Sequence, residues 1–339
     1  MVKRCLLVLA LVATHSAVAA SVAVPGTMSP AGGTHASAEK YRIWRTAAAQ
    51  AMIARADANS LATAAALRYA GPGSGPGKTA GANPKLSAAE LAARASELQP
   101  QDASIGWLHL QLCSGTPNCD IRDVATVMRW VDADNAAAWL QTLAAAQKDR
   151  DRTEVDRILS DMAHGARFDL YWNRLVALMF DALSAARGEL PGGFAGSDAA
   201  RLTAITAIAS GEVIPAFTPL VEACRESNGI PERHEQCLRL SKMMQRGDTV
   251  VTQLTGFSIE RHLVPPDSKE ARAIAERKHV LEWRQSEAAK FDTPLLPWMK
   301  NARARARIAH MRSLLREEDV CIAILREHKM ALEPSEEHR

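Results

Sequence analysis

The sequence predicts an all-α protein in which helix hairpins stack into a right-handed superhelical, solenoid-like array. Three observations predict it. Apolar residues recur at three- and four-residue spacing, behind capping pairs, along much of the 339-residue chain. Three tryptophans, Trp107, Trp139 and Trp172, stand 32 and 33 positions apart, each three to five residues after an aspartate and each heading an apolar run. A period in the low thirties, with one helix pair per unit, is that of a helical solenoid. Finally, aromatics make up only 5% of the chain while alanine fills the helical stretches, which suits closely packed helices rather than a sheet. The stretch 249–264 (TVVTQLTGFSIERHLV) is the one strand-like candidate, and helix remains the better reading.

Taken in order, residues 1–19 have the pattern of a secretory signal peptide. Lys3 and Arg4 form the charged head, Cys5 to Ala13 the short apolar run, and Ala17 with Ala19 the small-residue site for cleavage before Ala20. Val18 and Ala20 offer a cut one residue later. The apolar run falls well short of the ~20 residues a membrane span needs. Residues 20–40 are small, polar and punctuated by Pro and Gly, which predicts a flexible lead-in. Residues 41–70 predict a helical hairpin joined through Asp57 and Asn59, and 71–85 a Gly/Pro linker.

Residues 86–187 predict a train of short amphipathic helices. Ser87 with Glu90 forms a capping box. Ile121, Val124, Val127, Met128 and Val131 form one apolar stripe; Val155, Ile158, Leu159 and Met162 form another behind Asp151 and Glu154. Phe168, Trp172, Leu175, Val176, Met179 and Leu183 form a third. Residues 188–198 (GELPGGFAGSD) read as a second linker, and 199–332 as a C-terminal helical region with 333–339 as a tail. Within that region Asp267 and Glu270 cap a long helix to about Phe291, and one last helix is expected from about Met299 to Leu332.

Export to an oxidising compartment makes disulfides the expected state of the cysteines. Cys113 and Cys119 flank a turn, SGTPN; Cys224 and Cys237 flank a helix stop and restart at Asn228, Gly229 and Pro231. Bridged Cα atoms must come within ~7 Å, and facing helices meet that only near a turn, so these two local pairs are predicted. Cys321 is left over; between Val320 and Ile322 on an apolar pattern it reads as a buried thiol, with an intermolecular bridge as the alternative. No CxxC is present and no His stands at ligand spacing from two cysteines, which argues against a metal site.

The three segments LQPQDASIGWLHLQLC, WVDADNAAAWLQTLAAA and GARFDLYWNRLVALMF align on Asp and Trp. On these residues 86–187 resemble tetratricopeptide-like and Sel1-like repeats, a resemblance that implies paired helices and a binding surface. The whole chain also resembles the Ala-rich, signal-bearing envelope proteins of xanthomonad-type bacteria, which implies a fold and an address and no activity.

Chemistry is sparse. Residues 72–79 (PGSGPGKT) mimic a phosphate loop, but Pro72 stands where Gly is needed, helix precedes it, and Asn83-Pro84 stops a following helix, so linker is the reading. There is no HExxH or GxSxG. His109 lies in an apolar helix and reads as a packed or edge residue rather than a base; Asp132/Asp134 and Asp149/Asp151 read as turn and capping residues. No catalytic residue, cofactor or metal ligand is assigned. Formal charge is +3, falling to +1 when Lys3 and Arg4 leave with the signal, so no field exists to grip nucleic acid. Lys300, Arg303 and Arg307 share one helical face, which reads first as solvated and second as a docking patch for an acidic partner or an anionic glycolipid. The expected function is a non-enzymatic scaffold binding protein or peptide in the cell envelope. The alternatives are a helical enzyme with a dispersed site and a structural protein without a ligand. A pocket holding carboxylates of shifted pKa would favour the enzyme.

Overall fold

A computed structural model describes residues 35–69, 86–114, 116–190, 196–227, 229–291 and 297–335. The expected signal peptide, most of the lead-in, the 71–85 linker and the phosphate-loop mimic within it lie outside the described residues. Fifteen α-helices make up the described fold: α1 (His35–Arg55), α2 (Ala58–Arg68), α3 (Ala88–Leu98), α4 (Ala103–Cys113), α5 (Ile121–Val131), α6 (Leu140–Lys148), α7 (Arg152–Ala163) and α8 (Trp172–Ala185). They continue with α9 (Asp198–Glu212), α10 (Thr218–Arg225), α11 (Pro231–Met244), α12 (Val250–Leu263), α13 (Lys269–Lys290), α14 (Pro297–Ser313) and α15 (Glu317–Glu327). A 3-10 turn, Ala136–Trp139, leads into α6. The described residues contain no strand, only one isolated bridge between Asn135 and Arg167. The chain is all-α.

Local chemistry explains most helix starts. Asp57, Asp102, Asp120, Asp151, Ser197, Thr249 and Ser268 each accept a backbone N–H in the first turn of the helix that follows. Ser87 and Glu90 form the expected capping box. Ser268, rather than Asp267, caps α13. α1 begins at His35, six residues before the expected hairpin, and the strand-like stretch after Thr249 is helix α12.

In a solenoid each unit touches its neighbours alone. Successive helices pack on one another along α1–α5 and along α11–α13, but contacts are not confined to neighbours: α8 packs against α2, α9 and α14, and α7 against α11. One apolar core runs from Trp44 to Leu325 and crosses both Gly-rich breaks, so the expected N-terminal hairpin, repeat region and C-terminal region share it. A small second cluster, Val250, Leu254, Phe257, Ile274 and Leu281, lies between α12 and α13.

The three spaced indoles do different things. Trp107 is wholly buried and its Nε1–H donates to the Val213 carbonyl at 3.1 Å, joining α4 to the end of α9. Trp172 is buried at the head of α8. Trp139 is half-buried, with the Arg129 guanidinium 4.1 Å from its ring centre and that of Arg157 at 5.5 Å. Val127, placed in an apolar stripe by its spacing, is 59% exposed beside the 76%-exposed Trp130, because α5 packs through Ala125 and Met128.

Both predicted disulfides are present: Cys113–Cys119 with Cα atoms 5.4 Å apart, and Cys224–Cys237 at 5.5 Å. Cys321 is buried on α15, outside both bridges. The single last helix expected from Met299 to Leu332 is instead two. Leu314 ends α14 with its carbonyl taken by Asn173 Nδ2 at 2.9 Å, and the Glu317 N–H that opens α15 donates to the Asp248 carbonyl at 2.7 Å. Partners 141 and 69 positions away thus interrupt a helical pattern that is locally continuous.

Candidate functional site

Residues of α11, α12 and α13, with Glu318 of α15 and Glu333, line a cleft of about 730 Å³. Helical spacing explains its walls. Gln253, Phe257 and Glu260 lie on one face of α12; Glu276, Arg277, Val280, Leu281 and Arg284 lie on one face of α13. Lys242 of α11, with Gln245 and Arg246 just beyond its end, forms the third wall. Gly256 permits the close crossing of α11 and α12: a Cβ there would lie 2.7 Å from the Ser241 carbonyl oxygen and 2.8 Å from Met244 Cβ.

Two arginine clamps shape the cleft. The buried Glu260 carboxylate accepts from Gln245 Nε2 at 2.7 Å and from Arg277 Nη2 at 3.0 Å. Arg277 also donates through Nη1 to Gln245 Oε1 at 2.8 Å and lies 5.4 Å from the Phe257 ring centre. At the far end Arg284 donates to Glu318 Oε1 at 2.7 Å and to the Leu332 carbonyl at 2.8 Å, while Arg316 holds the other Glu318 oxygen. Charge-assisted hydrogen bonds of this kind order long side chains that would otherwise sweep the opening.

Behind the cleft lies a polar crossing of three chain segments. The Asp248 carboxyl accepts from the Leu170 N–H at 2.8 Å and the Trp172 N–H at 3.1 Å, so it caps the start of α8 from 76 residues away. That start has no side-chain cap of its own, since Tyr171 sits there with φ +58°. Glu317 Oε2 accepts from the Val250 N–H at 2.9 Å, at the head of α12. The Asn135 side chain pairs with the Asp169 backbone in both directions, at 2.9 and 3.0 Å, and Asp132 holds Arg167 and the Tyr171 hydroxyl. Gln253 Nε2 donates to the Gly247 carbonyl at 2.9 Å, linking this crossing to the cleft wall.

Burial is the main force on these acids. It pushes Asp248 up to about 8, reinforced by the nearby Asp169 and Glu317 carboxyls and opposed by the two N–H donors. Burial also raises Glu317, against the Val250 N–H and the Arg307 guanidinium. Asp169 is raised by burial and Asp132, against Arg167 and Arg316. None of the three lines the cleft. They bond to backbone and brace loops, and the arrangement expected of an acid–base pair in a pocket is not formed by them. Burial lowers His109, which is half-buried on α4 as its apolar setting predicts.

The other residues singled out in the sequence scatter rather than converge. Of the expected docking face on α14, Lys300 is exposed, but Arg303 is half-buried and donates to the Phe291 carbonyl at 2.5 Å, and half-buried Arg307 faces Glu317. α14 packs on α8, α9 and α15, and Arg303 and Arg307 are partly covered while Lys300 stays exposed. Asp132 closes α5 and joins the polar crossing, whereas Asp151 caps α7 as its position suggests. The cleft residues went unrecognised in the sequence; their only trace is the i, i+4 spacing of Phe257 after Gln253 and Val280 after Glu276. Among the described residues no cluster of three or more His, Cys, Asp or Glu could hold a metal, and no helix is long and apolar enough to cross a membrane. No protein-family model, curated protein or solved structure matches the chain.

Proposed function

We propose that this chain is an exported, non-enzymatic binding protein of the cell envelope, whose cleft between α11, α12 and α13 receives a polypeptide partner. The observation that carries the reading is the composition of that cleft: acids, arginines, a glutamine pair and the half-buried Val280 line one opening. A polypeptide offers all these chemistries together, where a small metabolite would need a few convergent groups in a closed apolar pocket. In the same reading the segment 86–187 is a divergent relative of tetratricopeptide and Sel1-like repeats, its right-handed superhelical course bent back by α8. The two disulfides are compatible with an oxidising compartment. The rival reading, an enzyme acting on envelope material, lacks support in the cleft, because the carboxyls shifted upward lie behind its wall.

The test places a photo-crosslinking residue at Val280, inside the cleft, and in a parallel variant at Ile43, an exposed position on α1. Each full-length variant is irradiated in envelope extract. The expected result is protease-sensitive adducts from Val280, suppressed by excess unmodified protein and absent from Ile43. Equal labelling from both positions, or none from Val280, would reject the reading.

A further inference from the structure

One turn of helix reaches both the polar crossing and the cleft. Glu317 opens α15 and is clasped to residues 248–250 through backbone and side chain. Its N–H donates to the Asp248 carbonyl at 2.7 Å, and its carboxyl accepts from the Val250 N–H at 2.9 Å. Glu318, the next residue, stands about 100° further round the helix. It lines the cleft, held by Arg284 at 2.7 Å and by Arg316. The seat of the clasp has no slack. A Cβ on Gly247 would lie 2.6 Å from Thr252 Cγ2 and 2.8 Å from the Phe168 carbonyl oxygen. Gln253, itself a cleft residue, donates to the Gly247 carbonyl at 2.9 Å. The first turn of α15 therefore cannot rise from residues 248–250 and leave Glu318 in place.

The same turn covers a buried acid. The charged groups facing Asp248 are the Asp169 carboxyl, ahead of α8, and that of half-buried Glu317. Glu317 is faced by Arg307 of α14, and Asp169 by Asp132, Arg167 and Arg316. A carboxyl set among carboxyls stays enclosed while it keeps its proton; once ionised it gains by reaching water. Resting on the reading of the cleft as a polypeptide site, we propose that the first turn of α15 is a proton-dependent latch on it. With Asp248 protonated the turn lies on residues 248–250 and keeps Glu318 in the cleft wall; when the turn lifts, water reaches Asp248, the carboxyl ionises and the cleft opens. The sign follows from burial. Closed, Asp248 holds its proton to about 8; in water it would lose it near 3.8. The open state therefore gains as pH rises between those values, by at most about tenfold per pH unit, and levels off above them.

The test follows access to the cleft against pH and needs no partner. In the full chain carrying Val280→Cys, the rate at which a small methanethiosulfonate modifies position 280 is read by mass spectrometry. At each pH it is divided by the rate for a free peptide of residues 276–284 with the same substitution, which removes the titration of the thiol. The ratio is expected to rise about tenfold from pH 5.5 to 7.5, within the ceiling that one proton sets. Asp248→Asn, which cannot ionise, should hold the ratio level. Glu317→Gln keeps an acceptor for the Val250 N–H and removes a carboxyl facing Asp248, so it should shrink the rise, and it serves where Asp248→Asn does not fold. Glu318→Gln weakens the cleft end of the latch alone. It should raise the ratio at pH 5.5 and so shrink the rise, while hydrogen exchange of the Val250 amide, corrected for its chemical rate, keeps its pH dependence. A level ratio without these further substitutions, or a rise undiminished by any one of them, overturns the proposal. A level ratio leaves the polypeptide reading to the crosslinking at Val280, and a failed crosslink leaves the latch standing.

Discussion

Helices α2 and α13 bury opposite proportions of themselves. In α2, eleven residues long, nine are buried, six of them alanine or serine, packed between α1, α3 and α8. In α13, twice as long at 22 residues, only Ala271, Ile274, Leu281 and Ala288 are buried. The short helix is structural filling: small side chains let three neighbours approach, and dispersion over many close contacts holds them. The long helix is a wall that meets α12 and α15 through few buried residues and through the Arg277 and Arg284 clamps, and the rest of its surface carries charges. The difference teaches where function can be placed. A helix buried all round has no face left to offer, whereas α13 retains one.

The comparison can be broken or sharpened by substitution. The largest effect is expected in the packed half. Trp107→Ala removes a fully buried indole and its bond to Val213, and should cost about 3–5 kcal/mol in denaturant unfolding. A loss under about 1 kcal/mol would mean that the core around α4 is far looser than its burial implies. Next, replacing Cys224 and Cys237 together by Ser should cost about 2–3 kcal/mol, because the bridge closes a short loop between α10 and α11. If the clamps order the cleft, this variant should lose stability without losing cleft ligand. Ala65→Leu in α2 should cost about 1–3 kcal/mol by overpacking, since Ala65 has no exposed surface.

A smaller and pH-dependent effect is expected at the polar crossing. An unfolded Asp248 would ionise near its ordinary value of 3.8, whereas the folded group holds its proton to about 8. Between those values the unfolded chain releases a proton that the fold retains. The contribution of this group to stability is therefore greatest below pH 4, falls as pH rises towards 8 and levels off above it. Its slope is at most about 1.4 kcal/mol per pH unit. Asp248→Asn should flatten that slope while lowering stability at pH 5, because the amide nitrogen cannot accept from the second of the two N–H donors. Equal slopes for wild type and variant would show that Asp248 is ionised in the fold. The smallest effect belongs to the exposed side of α13: Lys278→Ala, which removes an exposed i, i+4 pair with Glu282, should change stability by less than about 0.5 kcal/mol.

The sequence by itself determined the helical class, several helix starts and both disulfides. Each rests on partners within a few residues: Ser87 with Glu90, Asp151 with Glu154, and cysteines on either side of a turn. Such pairs meet whenever the local backbone forms, so spacing alone reveals them. Tertiary structure decided the rest. It broke the last helical pattern at Leu314, capped α8 with Asp248, exposed Val127, and engaged Arg303 with the Phe291 carbonyl. It also assembled the cleft from α11, α12, α13, α15 and Glu333, which no single repeat period connects. The physical reason is that a buried N–H, carbonyl or charge must find a partner wherever the chain can supply one. When that partner lies 76 or 141 positions away, no local pattern records it.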